Sequence, residues 1–245
     1  YEQFQIPADV EQVVHTPAST DVTVNTEDAD TIHVLGNDFS FDIDKASGTI
    51  SNYIYKSETL LTQGPVPNFW RAPVNNDSNK FDWVWQNAGK NAAIDGEIKV
   101  ARVNGSTTIA FTQNFPDMTG LTQNVVYTVD ASGAVALDLT VDGTKTSTNR
   151  GRYLRVGTTM VLPEGYENVT WYGNGPVEAM WDRESFARAG EYKTTVSELY
   201  YPYMNGGDTG TLTGVKWFTV TNDSKSTALA IAAQDTVEAQ ALHFT

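Results

Sequence analysis

The chain has 245 residues, enough for one large β domain or two small ones, and at 40% hydrophobic and 19% charged it has a globular profile. Its formal net charge of −14, from 30 acidic and 16 basic residues, repels phosphate backbones and anionic lipid, so nucleic-acid and membrane-surface partners are not expected. The absence of cysteine excludes disulfides, thiolate zinc sites and cysteine nucleophiles, and leaves both the bacterial cytoplasm and secretion or the cell surface open.

Residues 1–30 are polar, with Pro7, Pro17 and many threonines, and read as a linker or seam from a preceding domain. The chain opens on Tyr1 rather than Met, without a signal-peptide pattern or an 18-residue apolar run, as expected of a piece cut from a longer protein. Residues 31–245 then read as one β domain. Phe39, Phe41 and Ile43 alternate with Ser40, Asp42 and Asp44, the period-2 pattern of a strand with one buried face. Residues 44–48 supply turn chemistry, and Ile50, Asn52 and Ile54 continue on a return strand. A single helix is predicted at 80–88, with Ser78 as N-cap, Gly89 beyond its end, and Phe81, Val84, Trp85 and Ala88 on one face. Strands follow at 98–103 and 107–113. A second hairpin runs from Val125, Tyr127 and Val129 through Asp130-Ala131-Ser132-Gly133 to Val135, Leu137, Leu139 and Val141. Further strands are expected at 153–161, 169–172, 216–221 and 228–233. Such short, regular spacing favours an all-β sandwich or meander over βαβ units.

Three clusters stand apart from ordinary strand filler. The first is Asn68-Phe69-Trp70-Arg71-Ala72-Pro73-Val74-Asn75-Asn76-Asp77. Its amides, carboxylate and guanidinium pair with sugar hydroxyls, and its aromatic faces suit sugar C–H surfaces. The same residues also suit a core Phe-Trp pair followed by an Asx-rich turn. The second, Trp171-Tyr172-Gly173-Asn174-Gly175-Pro176-Val177-Glu178 and on through Trp181-Asp182-Arg183, fails as a dinucleotide fingerprint, because Pro176 and Glu178 occupy the next positions and no βαβ context follows. It reads equally as a sharp strand end with Asp182 and Arg183 in ion pairs. The third, Tyr200-Tyr201-Pro202-Tyr203-Met204-Asn205-Gly206-Gly207-Asp208-Thr209-Gly210, can make a tyrosine platform for sugar or a plain surface loop.

No Gly-x-Ser-x-Gly elbow and no His-x-x-x-His ligand spacing occur. His15, His33 and His243 lie near the chain ends and are expected in water. Acidic residues are plentiful, but none sits in a familiar catalytic phrase for the paired carboxyl groups of a glycosidase. No catalytic residue and no metal ligand is therefore expected here. The Asn-x-Ser/Thr matches at Asn76, Asn104, Asn168 and Asn222 matter only in a eukaryotic secretory host.

Taken together and in order, the three phrases resemble the last domain of long bacterial β-galactosidases of glycoside hydrolase family 2. The Phe69-Trp70-Arg71-Ala72-Pro73 run, the Asn75-Asn76-Asp77 triplet, Gly173-Asn174-Gly175-Pro176-Val177-Glu178, Asp182-Arg183 and Tyr201-Pro202-Tyr203 carry the likeness, and Glu2-Gln3-Phe4 is similar to the seam after the preceding domain. Two departures stand out. Asn75 replaces the family's first Asp, and Asn205-Gly206-Gly207-Asp208-Thr209-Gly210 replaces a Gln-Glu-Asn-Gly phrase. The chain also stops near His243, short of the family's usual last strands.

The resemblance implies a galactose-mutarotase-like β-supersandwich, truncated at its C-terminal end. It implies a β-galactoside substrate, retaining hydrolysis by glutamates on an upstream catalytic barrel, and no nucleophile or acid in this segment. Arg71, Asn75, Asn76, Asp77, Tyr203 and Asp208 would contact substrate, while Phe69, Trp70, Pro73, Trp171, Gly173, Gly175, Pro176, Glu178, Asp182 and Arg183 would hold the fold. The parent enzyme would be a homo-oligomer that can require Mg or Na, with no cofactor held here. An aldose epimerase is the remote alternative, since no histidine lies mid-chain to act as its acid. A free-standing carbohydrate-binding module is a second alternative, with Trp83, Trp85, Tyr201 and Tyr203 as its surface aromatics, and a purely structural module is a third.

Overall fold

The computed structural model describes residues 3, 22–77, 83–146, 153–204 and 206–244. Among these, the chain runs β1 (Thr23–Asn25), β2 (Thr31–Leu35), β3 (Phe39–Asp44), β4 (Ile50–Tyr55), β5 (Glu58–Asn68), α1 (Trp85–Ala88), β6 (Ala93–Val103) and β7 (Ser106–Asn114). It continues through β8 (Thr122–Val129), β9 (Val135–Asp142), β10 (Gly157–Val161), β11 (Asn168–Gly175), β12 (Arg188–Thr195), α2 (Val196–Leu199), β13 (Leu212–Thr221) and β14 (Ala228–Ala239). Every described strand pair is antiparallel. The fold is all-β, as the sequence pattern requires, with sheets rather than a barrel.

Two compact units divide the chain. The first takes Thr16–Arg71 and Asn76–Pro163, the second Tyr1–His15, Ala72–Asn75 and Glu164–Thr245.

The first unit is a sandwich of a six-stranded sheet, ordered β1-β2-β3-β4-β5-β10, and a four-stranded meander, β6-β7-β8-β9. Alternation does the sorting. Ile32, Val34, Phe39, Phe41 and Ile43 from one sheet share a buried cluster with Ile109, Phe111, Val125, Tyr127 and Val129 from the other. Each such side chain contributes about 1.5–3 kcal/mol on burial, so this interior outweighs the surface ion pairs at roughly 0–1 kcal/mol each.

Both predicted hairpin turns form, each closed by hydrogen bonds to its aspartate. Asp44 Oδ1 accepts from the Ser47 N–H and hydroxyl, both at 2.6 Å, and Asp130 Oδ1 accepts from Ser132 N–H at 2.8 Å and its hydroxyl at 2.6 Å. The turns are then tied crosswise. Tyr127 of the meander donates its hydroxyl to Gly48 O at 3.0 Å, in the turn of the larger sheet. Tyr53 of the larger sheet donates to Gly133 O, in the turn of the meander. Gly48 and Gly133 have φ of +78° and +89°, a region that favours glycine.

Three features of the first unit depart from the sequence reading. Strand β1 lies inside the stretch expected as a linker, where Val22 is buried and accepts from Arg102 Nη2 at 3.0 Å through its carbonyl. Strand β5, where the sequence reading had no strand, runs through Gly64, Pro65 and Pro67. Its ladder with β10 shifts register between Thr159 and Val161, opposite Gly64 and Pro65, where a proline leaves no ladder bond to make. The helix expected at 80–88 is described only as Trp85–Ala88, preceded by Val84 without a side-chain cap, while Ser78 and Phe81 lie outside the described residues.

The second unit is built on a four-stranded sheet ordered β12-β11-β13-β14. Val169, Trp171, Leu212, Val215, Phe218 and Val220 are buried in it. Helix α2 adds a second short helix, closed by a capping box in which Thr195 and Glu198 exchange side-chain and backbone bonds. The Gly-x-Gly phrase owes its glycines to packing. A Cβ at Gly173 would lie 2.9 Å from the Val215 backbone, and one at Gly175 would lie 2.4 Å from the Tyr192 ring. Gln3 docks on the edge of this sheet, its amide donating to Ala189 O at 2.9 Å and accepting from Ala189 N–H at 2.7 Å.

Candidate functional site

The loop at 68–77 leaves the end of β5 with its aromatic pair split in purpose. Phe69 is buried, edge-on to Trp85 at 5.8 Å and to Phe115 at 5.2 Å, and so anchors the loop to the interior. Asn68 Oδ1 then accepts from Trp70 N–H at 2.9 Å, an Asx turn that reverses the chain. Trp70 is half-buried, and its ring meets that of Trp83 with centroids 4.9 Å apart. Arg71 closes the loop on Asp77 by a two-pronged contact, Nη1 to Oδ2 at 2.9 Å and Nη2 to Oδ1 at 3.1 Å. This fork is the strong, directional form of a guanidinium–carboxylate pair. Asp77 ends a short 3₁₀ turn, Asn75–Asp77, on which Asn75 and Asn76 are exposed, while Pro73 is half-buried.

The other two phrases converge in the second unit. Glu178, with its side chain 13% exposed, holds Arg183 Nη2 at 2.6 Å. The Tyr203 hydroxyl donates to the same carboxylate oxygen, and Gly210 N–H donates to the other at 2.7 Å. The Arg183 guanidinium also lies over the Tyr203 ring, 5.1 Å from its centroid. Asp208 is buried with both oxygens engaged, Oδ2 by the Thr211 hydroxyl at 3.0 Å and Oδ1 by Gln240 Nε2 at 2.9 Å. Thr209 Oγ1 accepts from Tyr201 N–H at 2.8 Å and returns a bond to Tyr201 O at 3.2 Å. The tyrosine loop and the Glu178 loop are thus sewn together through three side chains. Pro176 and Asp182 are exposed on the same connection.

The structure therefore brings Arg71 to Asp77, and Glu178 to Arg183 and Tyr203. Sequence reasoning missed Gln240, Thr211 and the Gly210 amide, and only the Asp208-Thr209-Gly210-Thr211 run hinted at them. Of the surface aromatics considered, Trp85 is only 4% exposed, a core residue that cannot serve as a sugar platform, whereas Trp83 and Tyr201 are exposed. Of the histidines expected in water, His243 is exposed and His33 half-covered, and each is paired with a carboxylate. His33 Nδ1 lies 2.7 Å from Asp42 and His243 Nε2 3.1 Å from Glu167, while His15 lies outside the described residues. The bond from Ser197 holds the Glu167 carboxyl below its ordinary range, and His243 adds to the effect. Among the described residues no three His, Cys, Asp or Glu side chains converge to hold a metal ion.

An all-β fold with two hydrogen-bonded loop clusters defines a loop-bearing β module. Comparison with known proteins narrows it. The family model of the β-galactosidase small chain matches residues 35–245. Similar relatives include a β-galactosidase of Priestia megaterium, 30% identical over 247 aligned positions covering 100% of this chain and 23% of that protein. A β-galactosidase of Psychromonas ingrahamii is 27% identical, covering 78% of this chain and 20% of its own, and one of Halalkalibacterium halodurans is 26% identical, covering 87% and 21%. The chain belongs to the β-galactosidase small chain family. It spans about a fifth to a quarter of the length of these relatives.

Proposed function

We propose that this chain is the non-catalytic C-terminal domain of a retaining β-galactosidase of glycoside hydrolase family 2, with the loop at 68–77 at the mouth of the substrate site. The observation that carries this reading is the loop itself. Phe69 roots it in the core and the Arg71–Asp77 fork clamps it, while Asn75 and Asn76 remain exposed on its turn. A loop fixed in advance holds amide groups toward sugar hydroxyls without a further ordering cost. Nucleophile and acid would come from an upstream barrel of the same polypeptide, which the small share of the relatives' length supports. The Glu178–Arg183–Tyr203 cluster would keep the second unit's loops in shape, with any Mg or Na requirement met by the upstream part.

The test compares nitrophenyl β-galactoside hydrolysis by the 245-residue chain and by the same chain joined to its native upstream sequence. Activity confined to the longer protein is expected. Hydrolysis by the shorter one would mean that a catalytic carboxyl pair lies within it.

A further inference from the structure

An asparagine followed by glycine is the amide most open to attack by its own backbone, because glycine places no Cβ beside the attacking nitrogen. The chain holds this pair at Asn104-Gly105, Asn174-Gly175 and Asn205-Gly206, and Asn205 lies outside the described residues. The other two stand in opposite surroundings.

Asn104 and Gly105 form the tip of the hairpin from β6 to β7. Both have left-handed φ, +51° and +84°, and the ladder closes behind them at Val103 and Ser106. Residues 99–105 are all exposed, and a Cβ at Gly105 would meet nothing within 4 Å. The Asn104 amide has no hydrogen-bond partner among the described residues, and β6 is an end strand of its meander. With a solvated backbone and few buried contacts, such a tip opens locally at little cost. Asn174 and Gly175 instead lie within β11, paired to Ala189 and Arg188 of β12, with Gly173 and Gly175 buried on either side of the asparagine. Asn174 Nδ2 donates to Thr213 Oγ1 at 3.0 Å and to Glu184 Oε2 at 3.3 Å. The nitrogen that would have to leave is the one that is held.

We infer that Asn104 is a site of spontaneous deamidation and that the fold shields Asn174 from the same reaction. The Gly105 nitrogen attacks Asn104 Cγ and bonds to it, and the Cγ–Nδ2 bond breaks. The proton of the Gly105 nitrogen departs with Nδ2 as ammonia, leaving a cyclic imide. Water then adds to either imide carbonyl and opens the ring to isoaspartate or aspartate, without any electron donor or acceptor. Each product adds a negative charge to a chain already at −14. Isoaspartate also lengthens the backbone by a carbon in the turn that sets the pairing of Val103 with Ser106.

The test incubates the full-length protein in mildly alkaline, isotopically labelled water, once folded and once in urea. Digestion and mass spectrometry follow the two peptides, and chromatography separates isoaspartate from aspartate. In urea both sites lose their amides at comparable rates. In the folded protein Asn104 reacts about thirtyfold faster than Asn174, the factor that two ordinary hydrogen bonds impose. Glu184→Ala, an exposed substitution, removes one of those bonds and speeds Asn174 about fivefold. An intact Asn104 in the folded protein after the denatured chain has reacted there, or equal folded-state rates at the two sites, overturns the inference. An Asn174 rate unmoved by Glu184→Ala overturns the shielding by its side-chain partners.

Discussion

Glu178 is the most connected carboxylate in the second unit, and replacing it by glutamine isolates its charge from its shape. Glu178→Gln keeps one oxygen for the Gly210 N–H, now 2.7 Å away, and sets an NH₂ group against Arg183 and Tyr203, which stand at the other oxygen. A hydrogen bond to a charged group is worth about 1.5–3 kcal/mol and a neutral one about 1. Exchanging the carboxylate for an amide at Gly210 therefore costs about 0.5–2 kcal/mol. The ion pair with Arg183 is lost outright, but the Arg183 side chain is 46% exposed, so solvent screening limits this part to about 1 kcal/mol. The bond from Tyr203 adds about another 1. The expected destabilisation is about 2.5–4 kcal/mol, read as a lower urea midpoint at constant slope. Arg183→Ala should cost only about 1 kcal/mol, and the double variant should fall short of the sum by a similar amount, because both remove one contact. A loss under about 0.5 kcal/mol in Glu178→Gln, or full additivity with Arg183→Ala, would refute the argument that this carboxylate organises the two loops.

Two further outcomes concern the sandwich. Gly48→Ala places a Cβ 2.3 Å from the Phe111 ring at φ +78°, combining a left-handed backbone cost of roughly 1–2 kcal/mol with overpacking of roughly 1–3. Gly105→Ala has a similar φ of +84° but nothing within 4 Å, so it should show only the backbone part, and equal losses in thermal or urea unfolding would contradict the packing argument. On the alkaline side, burial first, and then the neighbouring Tyr55 and Asp130, push the Tyr53 hydroxyl up to about 12 from 10.0. The unfolded chain loses that proton first, so stability is fully present below pH 10 and falls as pH rises through about 12, by up to about 3 kcal/mol. Tyr53→Phe should flatten the stability profile between pH 10 and 12, and an unchanged slope would count against the assignment.

Legibility in the sequence followed locality. The hairpins turning at Asp44 and Asp130 could be read because their aspartates, serines and glycines interact within four residues and the flanking strands alternate cleanly. Strand β5 could not, since Gly64, Pro65 and Pro67 interrupt it and the partner that pairs that stretch, β10, lies some ninety residues later. Strand β12 was equally hidden. Its residues, Arg188–Thr195, alternate half-buried and exposed positions for most of its length, so no apolar stripe marks it. The site phrases were locatable because their composition is unlike strand filler. Their pairings were not, because Glu178 meets Gly210 across 32 positions and Asp208 meets Gln240 across another 32. Whether a carboxylate faces a ligand or closes on a neighbour is decided by such distant contacts.

The crosswise tyrosines of the sandwich carry a mechanical consequence. Each sheet holds the other's turn by a hydroxyl, Tyr127 reaching Gly48 and Tyr53 reaching Gly133. A single tether would let one layer pivot about it, whereas two tethers of opposite direction resist both rotation and sliding. The layers then yield together or not at all, giving the first unit the stiffness of a cross-braced panel.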